Sequence, residues 1–274
     1  MHLSNYHSHC SFCDGRSMPE EFVKFALAKS FRAYGISSHG PLPFETFWNM
    51  SAFDMPEYLV EISRLKDKYQ GHLEIYTGME IDYLDTTYNP SIPYFQNLPL
   101  DYRIGSVHFL PIATELCEAN MVCIDGPFSE FKQAVDTYFE GDIRKMVKRY
   151  YESSIRMVEL GGIDIVGHLD KIYMNGQRCK DFSFTAPWYR NMVNEYLEVI
   201  AGKGLIVEIN TKNLLKKQQT FPRQEYLSRM RELQIPVMVN SDCHTPDLVN
   251  DGRQQAFDML KQAGYKSTCE LIAG

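Results

Sequence analysis

The residues with the clearest chemical meaning are histidines and carboxylates that follow short apolar runs. Six of the eight histidines stand directly after such a run or in the loop behind it, and three carboxylates share that position. The nine side chains are His7, His9, Asp14, His39, Glu80, His108, His168, Asp242 and His244. Nitrogen and oxygen donors of this kind suit zinc, manganese or iron. Nine donors exceed what one tetrahedral zinc ion uses, so the sequence predicts two to three divalent metal ions.

The spacing of these residues supports a cluster. Residues two apart in a strand point to the same side, so His7 with His9, and Asp242 with His244, can each grip one ion or two neighbouring ions. A carboxylate such as Glu80 can bridge two ions roughly 3.5–4 Å apart. A single strand-end histidine is more often a core residue, but burying nine such groups without ions would cost several kcal/mol each. His2 and His72 lack this context and are predicted to play no part in the cluster. Cys10 and Cys13 form a single CxxC without a second pair and are predicted to be bystanders, and Cys243, between Asp242 and His244, is predicted to point away from them into the sheet.

The elements that must position these side chains alternate between strand and helix. Short apolar runs predict strands at 4–8, 33–37, 73–81, 102–109, 163–166, 205–209 and 237–239. Helical spacing predicts helices at 19–29, 55–69, 143–160, 188–201, 222–233 and 248–263, with long loops at 85–100 and 111–128. The alternation predicts an α/β fold with a parallel sheet, closed as a (β/α) barrel short of eight strands. A doubly wound open sheet is the alternative. In a barrel, the strand ends would bring the donors to one face.

Composition limits the functional classes. A chain of 274 residues fits one barrel-sized domain, and 44% apolar with 23% charged residues is ordinary for a globular protein. There is no apolar stretch of the length a membrane helix needs, and the start of the chain has no secretory signal pattern, which together predict a cytoplasmic protein with free thiols. A formal charge of −7 disfavours general nucleic-acid binding. It permits a small anionic substrate, because bound cations would reverse the sign locally.

Several motifs resemble the PHP (polymerase and histidinol phosphatase) family, and in particular its histidinol-phosphate phosphatases. Residues 7–15, which read His-Ser-His-Cys-Ser-Phe-Cys-Asp-Gly, are similar to the first motif of the family. Residues 101–110 resemble the stretch that ends near its central histidine. Further motifs lie at 167–170 (Gly-His-Leu-Asp), 208–211 (Glu-Ile-Asn-Thr) and 236–244. The resemblance runs over nearly the whole chain.

The resemblance implies a single domain over residues 1–274, folded as a distorted (β/α)7 TIM-like barrel with a trinuclear site at the C-terminal ends of the strands. Three ligand sets carry over by matching motif: His7, His9, Glu80 and Asp242; Glu80, His108 and His168; Asp14, His39 and His244. Asp14 stands where many PHP proteins have histidine. Cys243 and Lys171 also depart from common residue types, although neither change removes a ligand.

The implied reaction is hydrolysis of L-histidinol phosphate to L-histidinol and phosphate, a step of histidine biosynthesis, through attack by a metal-bridging hydroxide. Asp242 and Glu80 are the expected catalytic residues, and Arg16, Lys171 and Lys212 are candidates for binding the phosphate. Candidates for the leaving group are acidic residues for its amine and aromatic residues for its imidazole: Asp82, Asp85, Asp170, Tyr83, Tyr94, Phe109 and Tyr173.

Other readings stay open. The substrate could be a different small phosphomonoester, a nucleotide, an oligonucleotide end or phosphotyrosine. A non-enzymatic alternative is a metal-stabilised interaction module. A further alternative is an amidohydrolase-type C–N hydrolase, which also binds metal ions at one end of a barrel. The full set of nine ligands disfavours the module, and the negative charge disfavours polymeric nucleic acid.

Overall fold

Seven parallel strands form one sheet in the described part of the chain. The computed structural model describes residues 3–180 and 182–271, so the prediction for His2 lies outside it. The strands of the sheet, in their spatial order, are β1 (Leu3–Asn5), β2 (Phe31–Ile36), β3 (Glu74–Asp82), β4 (Tyr102–Ser106), β7 (Ile165–Val166), β8 (Ile206–Asn210) and β9 (Val237–Asn240). A separate antiparallel hairpin consists of β5 (Phe109–Pro111) and β6 (Met121–Cys123).

The sheet closes on itself through the residues that follow its first and last strands. Ser8 and Cys243 form a parallel bridge, and the backbone N–H of His9 donates to the carbonyl of Cys243 at 2.9 Å. The side chain of Asn5 accepts from the backbone N–H of Ser241 at 2.7 Å. A doubly wound sheet would reverse its strand order in the middle, whereas this order follows the chain. The predicted distorted (β/α)7 TIM-like barrel is therefore confirmed and the open-sheet alternative is wrong.

Helices cover the outside of the barrel. They are α1 (Pro19–Ala28), α2 (Met55–Lys68), α3 (Pro93–Gln96), α4 (Phe128–Tyr138), α5 (Ile143–Leu160), α6 (Tyr173–Gly176), α7 (Pro187–Lys203), α8 (Leu214–Lys217), α9 (Leu227–Glu232) and α10 (Arg253–Gln262). The helix expected from residue 248 begins only at Arg253, after Gly252 adopts a left-handed conformation with φ of 68°. The helix expected at 222–233 is split into a 3₁₀ turn and α9. No helix in the described ranges has the length and apolar character needed to span a membrane.

The barrel interior is filled by side chains from all seven strands and their ends. Tyr102 is one of the large side chains of this core, and its hydroxyl donates to the carbonyl of Tyr6 at 2.5 Å. Gly35 and Gly78 make room for this ring, because a Cβ at either position would lie 2.2 or 2.1 Å from it. The interior is therefore a packed core, and polar groups gather at the C-terminal ends of the strands.

Candidate metal centre

The nine donors predicted from the sequence lie together at the C-terminal end of the barrel. Glu80 lies near the C-terminal end of strand β3, and the other eight donors lie in segments that follow strands. Backbone pairing of His39 with Glu80 extends the β2–β3 contact into the site. His7 and His9 are fully buried, whereas the side chains of Asp14 and His244 are 28% and 19% exposed. The cluster therefore opens to solvent on the Asp14 side.

Glu80 occupies the middle of the cluster. One of its oxygens, Oε2, lies 3.1 Å from His7 Nε2 and 3.0 Å from His39 Nδ1. The other, Oε1, lies 2.9 Å from His168 Nε2 and accepts a hydrogen bond from the Ser106 hydroxyl at 2.6 Å. Both oxygens thus face imidazoles from different strands, which is the arrangement of a carboxylate that can bridge two ions.

Three groups of donors have ligand atoms within 4.8 Å of one another: His7, His9 and Asp242; His9, Asp14, His39 and His244; and His39, Glu80 and His108. These groups overlap the three sets implied by the family resemblance. The difference is that His9 and His39 each belong to two groups here, whereas each belongs to one set in the resemblance. His168 lies outside these groups, with its Nε2 3.1 Å from His108 Nε2.

The residues fit divalent cations. Buried polar atoms normally have a hydrogen-bond partner, yet Asp14 Oδ1 is buried in the site without one, and His39 Nδ1 makes no hydrogen bond although it lies 3.0 Å from Glu80 Oε2. Orphaned oxygen and nitrogen atoms beside other donors of the same kind are what metal ligation requires. The donor set has no thiolate within it, which suits zinc, manganese and iron.

Burial and neighbouring charges set the protonation of the site. Burial and the nearby His244 lower the pKa of His9 to about 4, and burial with His9 lowers the pKa of His39. Burial alone would raise the pKa of Asp242, but Lys212 and the histidines hold it well below its usual range. The pKa of Glu80 is also lowered. Burial alone would raise it, but the neighbouring histidines have the larger effect. At His7 and His108 the balance is the opposite: burial alone would lower the pKa, but Glu208 beside His7 and Asp82 beside His108 raise it. A bound cation would displace the extra proton from these two rings, because ionised carboxylates and neutral imidazoles are the forms that bind metal.

Two of the three predicted phosphate-binding cations line the cavity above the cluster. Lys171 is 5% exposed, and its Nζ lies 3.3 Å from Asp125 Oδ2. Burial would lower the pKa of Lys171, but Asp125 raises it and keeps the ammonium charged. Lys212 Nζ lies 3.1 Å from Asp242 Oδ1. Arg16 is exposed and does not line this cavity, and only its backbone N–H contacts the site, through the carbonyl of His244 at 2.8 Å.

The cavity has a volume of about 320 Å³ and two further kinds of wall. Aromatic residues Phe47, Trp48 and Phe109 form one side, with Trp48 stacked on Phe109 at 5.4 Å. Carboxylates from the hairpin region form another side: Glu118, Asp125 and Glu130.

Most leaving-group candidates from the sequence lie elsewhere. Phe109 lines the cavity, but the other six candidates do not. Asp82 is engaged by His108, and Asp170 is buried beneath the site, where it accepts the backbone N–H of Arg223 at 3.0 Å. The acidic wall was missed because nothing in the sequence distinguishes its carboxylates from solvated ones. Glu118 and Asp125 belong to segment 111–128, which carries no periodic pattern, and Glu130 lies in the first turn of helix α4.

Comparisons with known proteins agree with this geometry. The sequence model of the PHP domain family matches residues 5–212, about three quarters of the chain. The chain belongs to the PHP domain family. The chain is 28% identical to the histidinol-phosphatase of Bacillus subtilis over 87% of its own length and 92% of the relative. It is 27% identical to a protein of Deinococcus radiodurans named "Probable histidinol-phosphatase", over 97% of the chain and 95% of that relative.

A solved structure shares the fold of this PHP domain. It is the histidinol phosphate phosphatase of Lactococcus lactis, described as complexed with zinc, L-histidinol and phosphate. The two superpose with a TM-score of 0.76 at 22% identity, over 98% of this chain and 96% of that one.

Three cysteines lie near the donor cluster. Cys243 is buried with its Sγ 3.6 Å from the Tyr34 hydroxyl, and Cys10 Sγ lies 3.1 Å from Ser38 Oγ. Cys13 Sγ lies 3.6 Å from Nδ1 of His9, and so contacts one of the nine donors. Burial raises the pKa of all three thiols, so they are protonated and poor ligands.

Proposed function

We propose that this PHP domain is a metal-dependent phosphomonoesterase that hydrolyses L-histidinol phosphate to L-histidinol and phosphate, a step of histidine biosynthesis. The observation that carries the proposal is one cavity that joins a nine-donor cluster, two lysines and an acidic-aromatic wall. The names of the Bacillus subtilis and Deinococcus radiodurans relatives and the contents of the Lactococcus lactis structure support the same substrate. The single-domain organisation predicted for residues 1–274 stays a prediction.

The chemical demand of the reaction is charge neutralisation, because a phosphate monoester dianion repels an attacking oxygen. Divalent ions held by His7, His9, Asp14, His39, Glu80, His108, His168, Asp242 and His244 would neutralise that charge and supply a water of lowered pKa. In the overall reaction, water adds to phosphorus, the ester P–O bond breaks and the alcohol leaves with a proton.

The residues of the chain itself account for binding and proton transfer. Lys171, charged and held by Asp125, can bind a non-bridging phosphoryl oxygen, and Lys212 can bind a second. Asp242 is ionised and lies next to Lys212, so its carboxylate is our candidate for accepting the proton of the attacking water. Glu80, whose two oxygens face His7 and His168, would help to hold the ions.

The remaining cavity walls suit the leaving group. L-histidinol carries an ammonium group and an imidazole, and carboxylates of Glu118 and Glu130 can pair with the first. The ring of Phe47, 96% exposed at the rim, and that of Trp48 can pack against the second. These contacts favour an amino alcohol over a nucleotide or a phosphotyrosine.

We also propose a cytoplasmic location. Seven free cysteines in the described residues are consistent with a reducing compartment, and a phosphorylated metabolite is an intracellular substrate.

Steady-state kinetics on the metal-reconstituted protein test the proposed function. We expect kcat/KM for L-histidinol phosphate to exceed that for p-nitrophenyl phosphate, phosphotyrosine and a 5′-mononucleotide by at least about a hundredfold, since two charged or aromatic contacts contribute about 1.4 kcal/mol each. Equal values would remove the histidinol assignment and leave a general phosphomonoesterase. Absence of any phosphatase activity in protein with full metal content would favour the interaction-module alternative.

A further inference from the structure

Glu208 is a buried carboxylate outside the nine-donor set, and it contacts two segments that carry proposed ligands. It lies in strand β8, within the Glu-Ile-Asn-Thr motif, and is fully buried. We infer that Glu208 is a positioning residue that holds the His7 ring so that its Nε2 lone pair faces the metal cluster. The inference rests on the metal centre of the proposed function.

All four hydrogen-bond partners of Glu208 are donors in this arrangement. Glu208 Oε2 lies 2.7 Å from His7 Nδ1 and 3.1 Å from the amide nitrogen of Asn240. Glu208 Oε1 accepts from the backbone N–H of His168 at 2.9 Å and from the amide nitrogen of Asn210 at 3.0 Å. One side chain of β8 therefore contacts the segments after β1 and β7 and the last residue of β9.

These contacts define which nitrogen of His7 carries a proton. An ionised carboxylate can only accept hydrogen bonds, so Nδ1 of His7 must donate to Glu208. Nε2 is then the nitrogen left for the cluster, and it lies 3.0 Å from His9 Nε2 and 3.1 Å from Glu80 Oε2. Metal-ligating histidines commonly donate their second N–H to a carboxylate in this manner, which fixes both tautomer and ring orientation.

A second carboxylate contacts another histidine of the cluster in the same way. Asp82 Oδ1 lies 3.0 Å from His108 Nδ1 and accepts the backbone N–H of His108 at 2.9 Å. His108 Nε2 is thereby turned toward His168 and Glu80. Two carboxylates on β3 and β8 thus orient two imidazoles from different loops, and this repetition argues against a chance contact of Glu208.

Glu208→Gln is the decisive substitution. A glutamine amide places one N–H₂ group among four donors, so either the Asn210 and His168 donors or the His7 and Asn240 donors lose their acceptor. If the amide nitrogen faces His7, Nδ1 becomes an acceptor and the proton moves to Nε2, which blocks ligation. We expect the dissociation constant for Zn²⁺ or Co²⁺, measured by titration of the metal-free protein, to rise about 10- to 100-fold. The d–d absorption bands of the Co²⁺ protein should also shift.

The matched control is Glu74→Gln, an exposed glutamate at the start of β3, which should leave metal affinity unchanged. An unchanged dissociation constant and unchanged Co²⁺ spectrum in folded Glu208→Gln protein would overturn the inference. If that variant does not fold, ¹⁵N-histidine NMR of the zinc-loaded parent protein decides. Ligation of His7 through Nε2 with a protonated Nδ1 supports the inference, and ligation through Nδ1 overturns it.

These measurements separate the inference from the proposed function, because they need no substrate. Weakened metal binding in Glu208→Gln together with inactivity of the parent protein toward L-histidinol phosphate would leave the inference standing and remove the substrate assignment.

Discussion

At the scale of single residues, the pairing of Lys171 with Asp125 is the least expected feature of the site. A buried ammonium is costly unless a partner compensates it, and here the partner comes from the segment between β6 and α4. The pair places a permanent positive charge beside the donors of the cluster. A phosphoryl group entering the cavity would meet that charge without any need for the protein to rearrange.

Replacing this charge should slow catalysis. We expect Lys171→Met to lower kcat/KM for the phosphomonoester about 10²- to 10³-fold, because a preorganised cation at a developing negative charge contributes on that order. Steady-state kinetics would measure the loss. Lys216→Ala, on the exposed helix α8, is the control and should change kcat/KM by less than about twofold. A similar small effect for Lys171→Met would exclude it from phosphate binding.

The nine donors were predictable as residues because each lies near the end of a strand or in the segment that follows one, and strand ends converge in a barrel. Asp125, Glu118 and Glu130 were not predictable, since their cavity position depends on how the hairpin folds over the barrel. Arg16 was wrongly expected in the cavity because it lies two residues after the donor Asp14 in the sequence. In the structure the chain turns after Asp14, and the Arg16 side chain is exposed.

At the scale of elements, the longest helix was the easiest to predict. Helix α5 has 18 residues, and its apolar stripe gave the same bounds as the structure. Strands β5 and β6 have three residues each, too few for an alternating pattern to be recognised. Helix α4, which has 11 residues and begins at the end of the loop predicted at 111–128, was not predicted. The elements that carry ligands are thus better predicted than those that form the substrate wall.

Helix α5 also offers a test of a single local interaction. The side chain of Asp142 caps the helix by accepting from the backbone N–H of Arg144 at 2.9 Å. We expect Asp142→Ala to lower the free energy of unfolding by about 1 kcal/mol, measured by urea denaturation. Asp142→Asn keeps a capping oxygen and should lose only a few tenths of that. Equal losses for the two variants would show that the cap is not the source of the stability.

At the scale of the whole molecule, the barrel and its metal centre depend on each other. The seven-strand closure was predictable in kind from the alternation of elements. Its details were not, because Asn5 and Asn240 link the first and last strands through side-chain amides that no local pattern reveals. The donors come from segments along most of the chain, so ions bound among them would crosslink the barrel from one side to the other.

Metal removal should therefore weaken the fold as well as abolish activity. A ligand that binds only the folded state at a thousandfold excess over its dissociation constant stabilises it by about 4 kcal/mol. We expect exhaustive chelation to lower the melting temperature and added zinc or manganese to restore it, as followed by calorimetry. His72→Ala, an exposed histidine outside the cluster, should keep this metal response, whereas His244→Ala should reduce it. A melting temperature that is independent of metal would contradict the coupling.

The closure of the barrel through Ser8 and Cys243 places ligands from both ends of the chain side by side. During synthesis on the ribosome, Asp242 and His244 emerge after the other seven donors, so a growing polypeptide first exposes an incomplete set of ligands. Divalent metal ions would consequently bind tightly only after this segment has joined the barrel. Proteolytic fragments that lack residues 7–9 or 242–244 would bind these ions weakly.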